Sequence, residues 1–113
     1  MNKNFKVNDR TNNINGTSLV GYVFTTYANL VEKLGEPETD WDKSTAHWSI
    51  QSPDGTVATI YDWKNWTTPQ DEYYWHVGGH YPTPALGLVE LVTGANTVRD
   101  IDRAWYPWGG GND

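Results

Sequence analysis

Apolar and polar positions change period several times along the chain, and each change marks an element. Residues 17–25 (TSLVGYVFT) are β-branched and aromatic at successive positions, as in a strand covered on both faces. The period then lengthens. Tyr27, Leu30, Val31 and Leu34 fall at i, i+3, i+4 and i+7, one stripe of a helix that Thr25 or Thr26 can cap. Gly35 supplies the C′ residue and Pro37 prevents continuation.

After an acidic loop, residues 46–51 alternate, with Trp48 and Ile50 on one face and His47, Ser49 and Gln51 on the other. Ser52, Pro53, Asp54 and Gly55 have the residues of a type I turn, which predicts a hairpin into a strand over residues 56–63. There Ala58 and Ile60 face the side of Trp48 and Ile50, while Tyr61 and Trp63 face the other. A loop over residues 64–71 precedes an aromatic strand, residues 72–77, ending in Gly78 and Gly79. Thr83 as N-cap and Pro84 at N1 open a second helix, with Leu86, Val89, Leu91 and Val92 on its apolar side and Gly94 as its stop.

The resulting order, β-α-β-β-β-α, predicts an α+β fold: a small antiparallel sheet with two helices packed on one face. The 113 residues suit one core, which the pattern places at 17–94. Residues 1–16, with asparagine at six positions, read as a flexible N-terminal arm, order beginning near Thr17. Residues 95–113 read as a C-terminal extension.

Composition narrows the chemistry. The absence of cysteine excludes disulfides and thiolate metal sites and leans toward a reducing cytoplasm. No apolar run reaches the ~20 residues of a membrane span, and the first residues show no signal-peptide core. A net charge of −6, with eight scattered cations, disfavours binding to a nucleic acid duplex. The departure from the ordinary is aromatic: seven Trp, seven Tyr and two Phe make 14% of the chain. Rigid amphipathic rings in that number exceed what a core of this size absorbs, and they point to a surface that binds.

Catalytic chemistry finds little support. The few serines lie in no nucleophile elbow. His76 and His80, with Asp62 nearby, invite a metal, but His-x3-His spacing suits a helix and here spans a strand end, so neither a metal nor a cofactor is expected. The constellation favoured for ligand binding is Tyr61, Trp63, Lys64, Trp66, Trp75, His76 and His80. Its rings can sandwich a nucleobase, while Lys64, the histidines and the Gly78 and Gly79 amides meet phosphate oxygens.

The runs GYVFTTYANLVEKLGEP, AHWSIQSPDGTVATIYDWK and YYWHVGG resemble a family of small proteins of tailed bacteriophages, over residues 21–79. The Asn-rich arm and the WYPWGGG tail depart from that pattern. The resemblance implies an accessory protein acting in the cytoplasm of an infected bacterium, a class rich in anti-defence proteins. Joined to the aromatic excess, it leads to one expectation: a non-enzymatic homo-oligomer that sequesters a nucleotide-derived immune signalling molecule. The alternative is an inhibitor that binds a host defence protein, of CRISPR, restriction or another system, through its aromatic face.

Trp105, Tyr106 and Trp108 around Pro107 would form a large exposed apolar patch unless they dock on the sheet or across a dimer interface. Deleting residues 104–113 is therefore expected to lower the melting temperature by several degrees or to convert an oligomer to monomers in light scattering. A truncated chain unchanged in both would show the segment to be idle.

Overall fold

The computed structural model describes residues 4–39, 41 and 43–100; the Trp105–Trp108 segment lies outside them. The elements are β1 (Lys6–Val7), β2 (Ser18–Thr25), α1 (Tyr27–Leu34), β3 (His47–Gln51), β4 (Val57–Tyr61), β5 (Tyr73–Gly79), α2 (Pro82–Thr93) and β6 (Asn96–Val98). The strands form one antiparallel sheet in the order β1-β3-β4-β5-β2-β6, with the helices against it. The α+β architecture is the expected one, with two short strands added at the edges.

The helices cover one face of the sheet. Val23, Trp48, Ile50, Ala58, Ile60, Trp75 and Val77 meet Leu30, Leu34, Ala85, Leu86, Val89 and Val92 in the core. On α2 the buried stripe runs through Ala85, Leu88, Val89 and Val92, and Leu91, expected inside, is 70% exposed. The helix also begins one residue before the expected cap, with Tyr81 as N-cap and Pro82 at the first position.

Two indoles set the position of α1. Trp48 and Trp75 meet edge to face at 5.7 Å and are fully buried. The Trp48 Nε1–H donates to Gly35 O (2.9 Å) and the Trp75 Nε1–H to Thr25 O (3.2 Å), carbonyls that flank α1 at its two ends. Thr26 caps the helix by accepting from the Asn29 amide. The Asn29 side chain bridges to Thr25 Oγ1 and Thr93 O, joining α1 to β2 and to the end of α2.

The N-terminal arm departs from expectation. Lys6 and Val7 pair with Gln51 and Ile50, making an edge strand where no order was expected. The chain must then pass from that edge to the far side of β5, where β2 pairs, and it crosses over the face away from the helices. Asn12 Nδ2 donates to Ser49 Oγ, the Asn13 amide to Gln51 Oε1, and the Ser49 amide to Asn8 Oδ1. Asparagine suits such a strap, because its amide both donates and accepts against a polar sheet surface.

Gly78 and Gly79 lie inside β5 rather than in a turn, flanked by β4 and β2. A Cβ on Gly79 would stand 2.5 Å from the Ala85 Cβ, so the absent side chain is what lets α2 approach. Gly87, on the exposed side of α2, has nothing within 4 Å of the same position. Gly79→Ala is expected to lose about 1–3 kcal/mol by overpacking, whereas Gly87→Ala gains roughly 0.5–1 kcal/mol from helix propensity. Denaturant unfolding of the two variants checks the opposite signs.

Candidate functional site

Strand alternation sends every second side chain of β3, β4, β5 and β2 to the face without helices. The register aligns His47 with Tyr61, Tyr61 with His76, and His76 with Tyr22, so one transverse row of rings crosses four strands. Ring centroids along it are 6.0 Å (His47–Tyr61), 5.3 Å (Tyr61–His76) and 5.0 Å (His76–Tyr22). The neighbouring rung, Ser49, Thr59 and Gly78, is buried on the side where the strap passes. The strap therefore borders the row without covering it.

Side chains from the loops extend the row. Trp63, just past β4, lies 6.3 Å from both Tyr61 and His76. Lys64 holds its Nζ 5.6 Å from the Trp63 ring centre, a cation–π contact. Its φ of 57° turns the chain sharply after Trp63, and its amide donates to Lys43 O. At the other end Trp41 stacks on His47 at 3.9 Å and 19°.

Three of the residues expected in the site, Tyr61, Trp63 and His76, come together, with Lys64 beside them. Three do not. Trp75 is buried on the helix side of the sheet, because adjacent residues of a strand point to opposite faces and His76 takes the open one. Trp66 is 99% exposed in the loop after β4 and makes no ring contact among the described residues. His80 lies past the end of β5, with Nε2 against Asn13 O at 2.9 Å. The Gly78 and Gly79 amides, expected to meet phosphate, belong to a strand paired on both sides. Asp62 is equally committed: its carboxylate accepts from the Thr45 and Ala46 amides, the Thr45 hydroxyl and the Asn65 side chain. Among the described residues no group of three metal-ligating side chains converges.

The sequence reading left out His47, Tyr22 and Trp41. His47 was within reach, since the Ser52–Gly55 turn fixes it opposite Tyr61. Tyr22 was not, because its place depends on β2 pairing with a strand some fifty residues later.

Burial holds two groups of the row, Tyr61 and His47, in their neutral forms. Burial pushes the Tyr61 phenol up, with the nearby Tyr22 adding to the effect, so its hydroxyl stays neutral. Burial also holds the His47 imidazole down, to about 4 from 6.5. His47 is 6% exposed, and its Nδ1 has no hydrogen-bond partner among the described residues. With His47 and Tyr61 held neutral, the arrangement offers ring surfaces with a few polar edges and Lys64 at the rim, which suits stacking more than proton transfer. Surface cavities lined by described residues include one of about 280 Å³ at the β2 edge, which Tyr22 also lines, and one of about 460 Å³ between α2 and the Ser52–Thr56 turn.

Comparisons with protein-family models, curated proteins and solved structures return no match.

Between pH 6.5 and about 4 the folded chain binds fewer protons at His47 than the unfolded chain does. The His47 contribution to stability is thus whole above pH 6.5 and lost progressively as pH falls, the loss being complete below about 4. It amounts to ~3 kcal/mol. His47→Phe, which keeps a ring beneath Trp41, should flatten this part of the stability profile. Urea unfolding of both proteins at pH 7 and pH 4 measures the difference, and equal acid losses would count against it.

Proposed function

We propose that this protein binds a ligand with planar rings on its open sheet face, and that the ligand is a nucleotide-derived signalling molecule held without being cleaved. One observation carries the reading: the aromatic row Tyr22, His76, Tyr61 and His47, with Trp63 beside it, lies on the sheet face opposite α1 and α2. A purely structural sheet of this size needs one apolar face, and Trp48, Trp75 and their neighbours already supply it. Stacking on aromatic side chains contributes roughly 1–3 kcal/mol per base. The resemblance to tailed-phage proteins supports placing the binding in the cytoplasm of an infected bacterium, as an anti-defence protein that withholds an immune signal. The row presents ring faces on which a planar ligand can stack, which supports sequestration over turnover. The proposal takes the protein as a homo-oligomer, in which a second copy over the row would enclose the ligand.

The same ring surface also favours a second reading, in which the row and the exposed Trp66 grip a host defence protein directly. Calorimetry with a panel of cyclic and linear nucleotides, followed by heat release and mass spectrometry, separates the two. The expected result is saturable binding, recovery of the nucleotide intact, and a loss of at least ten-fold in affinity for Trp63→Ala and Tyr61→Ala. Binding by none of the panel would sink the reading, and a stoichiometric host protein retained from infected lysate would establish the second. Release of a cleaved product would instead make the protein an enzyme.

A further inference from the structure

The cavity of about 280 Å³ lies where β2 runs on past the end of β6. The ladder between them stops at Tyr22 and Val98, so Ser18 to Gly21 have no strand partner on that side among the described residues. The β2–β5 register also shifts by one residue between Leu19 and Gly21, a bulge that takes Val20 out of step. Around this open edge stand His80, Pro82, Arg99 and Asp100, and Tyr22 forms part of the same wall.

We infer that this cavity is an anion site that receives the phosphate end of the ligand whose rings rest on the row. For the rings the inference depends on the proposed function; the anion half stands on the cavity alone. Arg99 makes no ion pair or hydrogen bond among the described residues, and a guanidinium is the side chain whose planar fork best matches phosphate oxygens. His80 Nε2 faces the Asn13 carbonyl, which can only accept, so the ring donates to it from the cavity wall. The first turn of α2 starts at Pro82 with no acidic residue and no side-chain cap, leaving the positive end of its dipole toward the cavity. Asp100 acts in the opposite sense, its carboxylate disfavouring an anion in the same space.

Tyr22 makes the two regions one. It closes the aromatic row and lines the cavity, and only His76 separates its ring from Trp63, at 5.0 Å on one side and 6.3 Å on the other. A base stacked near Trp63 can therefore trail a sugar and phosphates along Tyr22 toward Arg99. Lys64, expected to take the phosphate, stands at the Trp63 end instead.

The test uses the full chain, isotopically labelled and titrated with inorganic pyrophosphate at constant ionic strength. Chemical-shift changes are expected at Ser18 to Tyr22, His80 and Arg99. Arg99→Gln should weaken pyrophosphate about ten-fold, the loss of one charge-assisted pair, and Asp100→Asn should tighten it several-fold. Melting curves confirm that both variants fold. Shifts that avoid the cavity, or equal affinities for Arg99→Gln and the unaltered chain, would overturn the anion site. Adding adenosine and ADP distinguishes this failure from that of the function. Nucleotides that perturb Tyr61 and Trp63 but bind Arg99→Gln normally leave the stacking face standing and remove the cavity. Pyrophosphate bound in the cavity with no nucleoside on the row does the reverse.

Discussion

The edge-to-face contact of Trp48 and Trp75 is the joint on which the fold depends. An indole is large enough to fill much of a small core, but its N–H must find an acceptor or it costs roughly 1–3 kcal/mol on burial. Both indoles find one at an end of α1, at Gly35 O and Thr25 O. The same two side chains thus fill the space beneath the helix and fix where it starts and stops. Tyr27 and Tyr73 pack against their edges, and Asn29 carries the constraint across to α2.

Because these rings take the inner face, the strand period obliges their neighbours to take the outer one. His47 precedes Trp48 and His76 follows Trp75, so two core tryptophans bring two histidines into the row opposite. The row owes its mixed character, phenol and imidazole alternating, to that coupling. The strap from Asn8 to Gly16 then divides the outer face: it covers the polar rung of Ser49 and Thr59 and leaves the aromatic rung beside it. Burial keeps the His47 imidazole beneath Trp41 neutral down to about pH 4.

Local chemistry made much of this legible. The hairpin, both helices and the assignment of Trp48, Ile50, Ala58 and Ile60 to one face and Tyr61 to the other were readable from period and turn residues. The error at Trp75 was also open to correction from the sequence, since it cannot share a face with His76. Other features depended on long-range pairing. Nothing near Ser18 says that β2 lies beside β5, so the alignment of Tyr22 with His76 stayed hidden, as did the role of Gly79 in admitting α2. The asparagines of the arm resemble those of an unstructured segment, because the polar groups they meet, Ser49 and Gln51, lie some forty residues away.

The sheet order has a consequence for synthesis. Both neighbours of β2 come from the far half of the chain, β5 at Tyr73–Gly79 and β6 at Asn96–Val98. As the chain leaves the ribosome at about 5–20 residues per second, Ser18–Thr25 emerges with both edges unpaired and waits seconds for its first partner. The hairpin of β3 and β4 can form meanwhile and offer Ser49 and Gln51 to the strap, but β2, at the strap's end, has no partner until β5 emerges. Assembly is thus held back until most of the chain exists, and the longest strand, β2, is exposed throughout that interval, when self-association competes with folding.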